Sequence, residues 1–399
     1  MARPDVLLVS LGTTLGWRVA DEMLLAQLKR AGASTQAVAV ARGAADRLRR
    51  GYPVNDLVEM YAARRAVRTA VERREPRALI VSSTTASMLL PSLPAPYAVR
   101  FDAPARLNRP GARNALLRSL ERQSMRRARI TIPFSVAGAE ALPEGAARAV
   151  VVSPPIDPSS QHSPDEREPL AVAYVSDPKA KGLDILVGGW SAAAVDGARL
   201  EVYGLDPDWA RSHLHRTGMA EPESLDLRGM VPVADFRARM RRAHVFIHGA
   251  RWEDWGQAPL EALADGALLA TVPAGGPYEG VRLARQLDAS LVADAIDAVV
   301  LGRAIRAAFE LPDERVRAYR QSATELLRPY RSDAVQETVA RELLPALLGY
   351  PGLTPSCRNT CGSVSDAFRW DAPGHGRARP RARSRSLTPI KGSSERGEP

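Results

Sequence analysis

The stretch RWEDWGQAPLEALADG, residues 251–266, carries two glutamates, Glu253 and Glu261, with seven residues between them. The apolar run HVFI precedes it, a short helical stretch (PLEALA) contains the second glutamate, and Gly266 closes it. A carboxylate in the loop after a strand and another inside the next helix can both point into one pocket. There they would accept hydrogen bonds or stabilise developing positive charge. They can equally be a solvated loop charge and a first-turn carboxylate facing exposed helix N–H groups, with Pro259 at the first helical position.

Lysine usage narrows the choice. The chain prefers arginine and has only four lysines, Lys29, Lys179, Lys181 and Lys391. Two of them fall in DPKAKGLD (177–184), at a strand-to-helix junction. Lysine is a compact, mobile charge that can follow a phosphate as negative charge builds on it, whereas arginine is a rigid fork. In VPAGGPYEG (272–280), Gly275 and Gly276 end a strand before another helix start, which reads as a backbone N–H site for an anion. LGTTLGW (11–17) reads as a similar loop, with Gly12, Thr13 and Gly16 at an acceptor or phosphate group. Its spacing is not GxGxxG and no acidic residue ends the second strand, which argues against a dinucleotide. Asp206-Pro207-Asp208 reads as a helix N-cap rather than a cation site, and His213 and His215 diverge on a helix. No metal site and no cofactor are expected.

These residues need elements to hold them. Short Val- and Ile-rich runs alternate with helical patterns: 6–11, 35–41, 78–83, 97–101, 128–134 and 149–153. A Pro- and Ser-rich break at 153–169 separates them from a second series, 170–176, 199–205, 224–229, 244–249, 267–273 and 289–294. Continuous apolar strands alternating with helices predict parallel sheets covered on both faces. The expected architecture is α/β, two doubly wound Rossmann-like domains facing a cleft: an acceptor domain over 1–152, a linker over 153–169 and a donor domain over 170–330. A C-terminal helix over 331–350 packs back on the first domain, and a disordered basic tail follows over 351–399.

Taken in order, these stretches resemble the retaining nucleotide-sugar glycosyltransferases of the GT-B fold, specifically the family 4 type. The resemblance spans about residues 5–345 and is strongest over 170–280. Glu253 and Glu261 stand in that family's E-x7-E element, Lys181-Gly182 in its Lys-Gly motif, and Gly275-Gly276 in its glycine pair. The resemblance implies a nucleoside-diphosphate-sugar donor, with Lys181 neutralising the diphosphate and Glu253 contacting the sugar. Glu261 would hold the ribose hydroxyls, with Gly256, Gly275 and Gly276 beside the donor and no metal required. Two positions depart from the pattern. Ser176 stands where the family usually has an arginine, leaving Lys179 as the second cation. Asp102, in RFDAP, stands where a sugar-contacting histidine is usual and is its substitute here. The departures keep a second reading open, a glycosyltransferase-like binding or scaffold protein with weak or lost turnover.

Charge is unevenly spread. Residues 1–150 carry 24 Lys and Arg against 12 Asp and Glu, while residues 151–350 carry 22 against 29. No zinc-finger spacing, RNP-like motif or aromatic-basic interleaving accompanies the basic half, so nucleic acid is not the expected partner. Clusters at 47–50, 64–68 and 126–129 suit an anionic membrane surface and a lipid-linked or anionic acceptor. The two cysteines, Cys357 and Cys361, lie in the tail, which fits a reducing cytoplasm with peripheral contact at the inner face of the membrane.

Overall fold

Val6–Ser10 (β1), with the sequence VLLVS, is buried along its whole length, as a strand covered on both faces must be. The computed structural model describes residues 3–12, 14–41, 54–160 and 167–349. Its side chains alternate between two layers. Val6 and Leu8 meet Leu24 and Leu28 of the Leu15–Arg30 helix, while Leu7 and Val9 meet Ala63 and Val67 of the Val54–Arg74 helix. Each such fully buried aliphatic side chain contributes about 1.5–3 kcal/mol over its exposed state. Around β1 lie Thr35–Ala39 (β2), Ala78–Ser82 (β3), Tyr97–Phe101 (β4) and Ile130–Pro133 (β5), all parallel, in the order β2-β1-β3-β4-β5.

The second sheet repeats the plan. Glu168–Tyr174 (β6), Arg199–Tyr203 (β7), Leu225–Gly229 (β8), Ala243–His248 (β9) and Leu268–Thr271 (β10) pair in parallel in the order β10-β9-β6-β7-β8. Strand order therefore reverses between β1 and β3 in the first sheet and between β6 and β9 in the second. Loops leaving the carboxyl ends at such switch points diverge and leave a crevice.

Two expected strands shrink to isolated bridges. The run 149–153 meets β5 through Thr131↔Ala149, and Val152 N–H donates to Pro133 O. Pro133 has no N–H to return the bond, and Pro154-Pro155 follows at once, so no ladder forms. In 289–294, Asp288 caps a 3-10 turn over Ala289–Leu291, leaving one bridge, Thr271↔Val292.

After the second sheet the chain returns to the first. Ile156 N–H donates to Tyr330 O (2.7 Å) and Ser332 N–H to Asp157 Oδ1 (3.1 Å), tying the two crossing segments side by side. The Ser332–Thr338 helix then runs through one π turn, Val339–Leu343, into Leu344–Leu348. Pro345 lacks the N–H that would reach Arg341 O, which accounts for the wider turn. Val335, Val339, Leu343 and Leu347 pack into the layer of Val6 and Leu8. Among the described residues no helix is long and apolar enough to cross a membrane. The expected tail, Thr13 and the cluster 47–50 lie outside the described residues.

Candidate functional site

Two clusters occupy the two switch points. At the second sheet, the loop after β6 carries Lys181 and the loop after β9 carries Glu253. The loops are stitched together: Arg251 N–H donates to Ala180 O (2.9 Å), and Gly182, at φ +62°, lies so close to Gly249 O that any side chain there would collide. Lys181 Nζ then reaches Glu253 Oε2 at 2.7 Å, across 72 residues of sequence. Glu253 N–H donates to Gly275 O (2.9 Å), and Gly275 N–H donates to Arg251 O (3.1 Å). Lys181, Glu253 and the glycine pair thus meet at one junction. The pair does not display both of its N–H groups to an anion, because Gly275 has spent its own on Arg251. Its smallness serves close packing: a Cβ on Gly276 would strike Glu253 O.

Around this junction lie residues that sequence reasoning missed. His248, buried at the end of β9, places Nε2 3.5 Å from Glu253 Oε2. That separation is too long for a hydrogen bond, and Nε2 has no partner. Burial, with the nearby Lys181 charge, holds the imidazole down at about 3, so His248 is neutral and Lys181 alone offsets Glu253. The His248 ring packs on Tyr278 at 4.8 Å, and the Tyr278 ring closes against Gly256, which sits at φ +79°. Lys179 is exposed, and its carbonyl accepts from Arg251. Ser176 is exposed as well.

Glu261 is held differently. The helix starts at Gln257, so Glu261 is its fifth residue and not a first-turn carboxylate, which removes the capping explanation. Its Oε1 accepts from Gln257 Nε2 (2.9 Å) and pairs with Arg237 Nη1 (3.1 Å), while Arg237 also reaches Asp265 at 2.8 Å. Burial raises the Glu261 carboxyl above its ordinary range, and the Arg237 charge opposes the shift. Arg237 sits in RARMRR, where nothing in the sequence singles it out from its neighbours. Its fold position places it at a buried carboxylate.

At the first sheet, Gly12 follows β1 at φ +55°, donates its N–H back to Ser10 Oγ (3.1 Å) and accepts from Arg18 on its carbonyl. Its N–H is therefore turned inward. Gly16 lies inside the Leu15–Arg30 helix, and a Cβ there would meet nothing, so no close backbone approach requires glycine. Beneath this loop Arg100 of β4 is fully buried and pairs with Asp21 at 2.6 Å. Ser82 donates to the same carboxylate at 2.5 Å, and Ser10 also donates to it. Arg100 stacks over Phe134 at 4.3 Å, and an aromatic row, Trp17–Phe134–Trp255–Tyr330, continues between residues of the two halves. The signal for this network was a single arginine inside the apolar strand YAVRF.

Above the network a cavity of about 210 Å³ opens between the loops after β1, β3 and β4. Ser82, Ser83, Thr84 and Thr85 line one side, and Asp56, Glu59, Asn108 and Arg109 another. Asp102 from the first half and Asp254 from the second complete it. Burial, then the neighbouring Asp254 charge, pushes Asp102 up to about 7, and burial also raises Asp254. Asp254, next to Glu253 in sequence, was not singled out from the sequence. Among the described residues no group of three or more His, Cys, Asp or Glu side chains is placed to hold a metal ion.

No family model matches the chain, and no curated protein does. Solved structures do. The glycosyltransferase from Rickettsia africae superposes with a TM-score of 0.63 at 13% identity, covering 87% of this chain and 99% of that one. Sucrose-phosphate synthase from Thermosynechococcus elongatus gives 0.64 at 15% identity over 86% and 100% of the two chains. HepE from Anabaena, in complex with UDP-glucose, gives 0.64 at 15% identity over 86% and 99%. The two parallel-sheet, Rossmann-like halves are thus those of the GT-B glycosyltransferase fold.

Proposed function

We propose that this chain transfers a sugar from a nucleoside-diphosphate-sugar donor to an acceptor, with retention of configuration at the anomeric carbon. The observation that carries this reading is the Lys181–Glu253 contact at the switch point of the second sheet, joined to the Gly275–Gly276 turn. Breaking the bond between a sugar and a diphosphate builds negative charge on the leaving oxygen and positive charge on the sugar. Lys181 answers the first charge without a metal, and Lys179, exposed on the same loop, is the second cation in place of the missing arginine. Glu253, released from Lys181 as the diphosphate arrives, faces the sugar. Glu261, four residues along the helix from Gln257, holds the ribose with the carboxylate oxygen not given to Arg237. Asp102 lies on the acceptor side, across the cavity from Asp254. UDP-glucose bound to HepE, a protein of the same fold, supports a donor of this class.

A second reading, weak or lost turnover, is favoured by one observation: both glutamates are already satisfied, Glu253 by Lys181 and Glu261 by Arg237. Incubation with UDP-, GDP- and ADP-sugars, followed by NMR of the anomeric proton, separates the two. An α-linked product from an α-linked donor is expected. Tight donor binding with neither transfer nor donor hydrolysis would leave the binding protein instead.

A further inference from the structure

His248 closes β9 with its side chain 5% exposed and its ring against that of Tyr278, 4.8 Å between centroids. β9 is an interior strand, paired with β10 on one side and β6 on the other, so the sheet sets where this ring stands. A phenylalanine would fill the same place without a polar atom. The histidine instead carries into the core an Nε2 that no group among the described residues satisfies. Leaving a buried polar atom unpaired costs free energy, so the atom calls for an explanation.

Nε2 stands 3.5 Å from Glu253 Oε2, a few tenths of an ångström beyond hydrogen-bond range. Lys181 Nζ holds that same oxygen at 2.7 Å. Two donors from different elements thus converge on one carboxylate oxygen, one engaged and one waiting. They differ in freedom and in charge. Lys181 sits on a loop with its side chain partly exposed and can turn away, whereas His248 is fixed in the sheet. Burial, with the Lys181 charge, holds the imidazole down at about 3, so the ring is neutral and keeps one N–H. A carboxylate facing Nε2 favours the tautomer with the proton there. A second cation at this place would cancel the Glu253 charge. A neutral N–H orients the carboxylate and leaves its charge available to a sugar that turns positive.

We infer that His248 is the positioning residue of Glu253: when Lys181 turns to an arriving diphosphate, His248 Nε2–H takes its place on Oε2 and keeps the carboxylate aimed at the sugar. The inference rests on the nucleotide-sugar reading for the event that draws Lys181 away. The exchange of partners itself needs no nucleotide, only the loss of the lysine.

Side-chain nitrogen-15 NMR of the full chain, labelled at histidine, tests it, with His248 assigned by the signal lost in His248→Gln. In Lys181→Ala without nucleotide, the His248 Nε2–H signal should move downfield of its wild-type position, and adding Glu253→Ala should remove that shift. UDP, GDP and ADP, given in turn to wild type, should produce the same displacement with the series that binds. His248→Phe keeps a ring on Tyr278 but has no N–H, and should weaken that diphosphate about tenfold. His248→Gln retains an N–H donor and should stay within about twofold of wild type. A histidine that merely packs would leave its signal unmoved in Lys181→Ala; that result, or a proton on Nδ1 there, overturns the inference. Equal losses in His248→Phe and His248→Gln also overturn it. The Lys181→Ala spectra keep the native ring, so they decide the matter even where His248→Phe does not fold. A downfield shift in Lys181→Ala with no nucleotide bound by wild type upholds the exchange and removes the donor reading. A bound nucleotide that leaves the signal unmoved does the reverse.

Discussion

The two switch points solve the same electrostatic problem in opposite ways. At the second sheet four carboxylates face cations: Glu253 with Lys181, Glu261 and Asp265 with Arg237, Asp184 with Arg251 at 2.5 Å. At the first, burial and the Asp254 charge raise Asp102, burial and the Glu253 charge raise Asp254, and among the described residues neither forms an ion pair. Yet the half with the paired site is net acidic and the half with the acidic cavity is net basic. Domain charge is thus a property of the outer surface. Arg64, Arg65 and Arg68 lie exposed on the outer face of the Val54–Arg74 helix beside exposed Leu57 and Tyr61, while Asp56 and Glu59 of the same helix line the cavity. A site's charge is set by the few groups within reach of one another, since solvent screens the rest beyond about 8–10 Å.

The largest effect should come from beneath the acidic cavity. Asp21→Asn leaves Arg100 buried without its counter-charge and should lower unfolding stability by about 3–5 kcal/mol in chemical denaturation. A loss below about 1 kcal/mol would mean that the first switch point is not anchored by this pair.

Next in size is a pH-dependent gain in Asp102→Asn. Asp102 titrates in the folded protein at about 7, so between the ordinary carboxylate range and that value the native state holds a proton the unfolded chain has lost. Its contribution is therefore fully favourable only below about pH 4 and is lost as pH rises to about 7. Relative to wild type, the variant should gain nothing at pH 4 and a few degrees in Tm at pH 8. A difference independent of pH would place Asp102 in water rather than in the cavity.

A smaller change is expected at the paired site. Lys181→Ala breaks a partly exposed pair and should cost about 1 kcal/mol or less, well under the Asp21 effect. If the two costs were equal, the contrast between an adaptable donor site and a rigid acceptor floor would collapse. The smallest effect concerns the outer face. Exchanging Arg64, Arg65 and Arg68 for glutamate should shift stability by no more than about 0.5 kcal/mol. It also tests the membrane contact suggested by the basic clusters: flotation with anionic vesicles should be lost, whereas unchanged flotation, or none by wild type, would remove that expectation.

Ten of the twelve strand-like runs became strands, because apolar runs of four to seven residues between glycine and proline breaks leave a buried parallel strand little alternative. The two exceptions failed on hydrogen bonding, not hydrophobicity: Pro133 cannot donate across the sheet, and Asp288 caps a turn where a strand was read. At the site, the spacing of Glu253 and Glu261 and the clustered lysines were visible in the chain. Their partners were not. Arg237 and Glu261 meet only because β9 and the helix after it carry Glu261 past the Val233–Arg242 helix. Asp254 was not singled out, since nothing local tells which of two adjacent carboxylates turns toward the other half of the chain. The glycine pair was legible as a tight turn, but its packing against Glu253, rather than display of N–H groups, depends on a contact between loops.

The central claim is that Lys181 and Glu253 form the seat of a nucleoside-diphosphate sugar. Isothermal titration of wild type, Lys181→Ala and Glu253→Ala with UDP-, GDP- and ADP-sugars, and with the free diphosphates, tests it most directly. The account predicts that wild type binds one nucleotide series and that Lys181→Ala weakens the free diphosphate at least about tenfold. Glu253→Ala should leave the free diphosphate bound as well or better, because it frees Lys181, while weakening the sugar-bearing donor. Absence of binding by wild type across all three series, or equal affinities in wild type and Lys181→Ala, would contradict it.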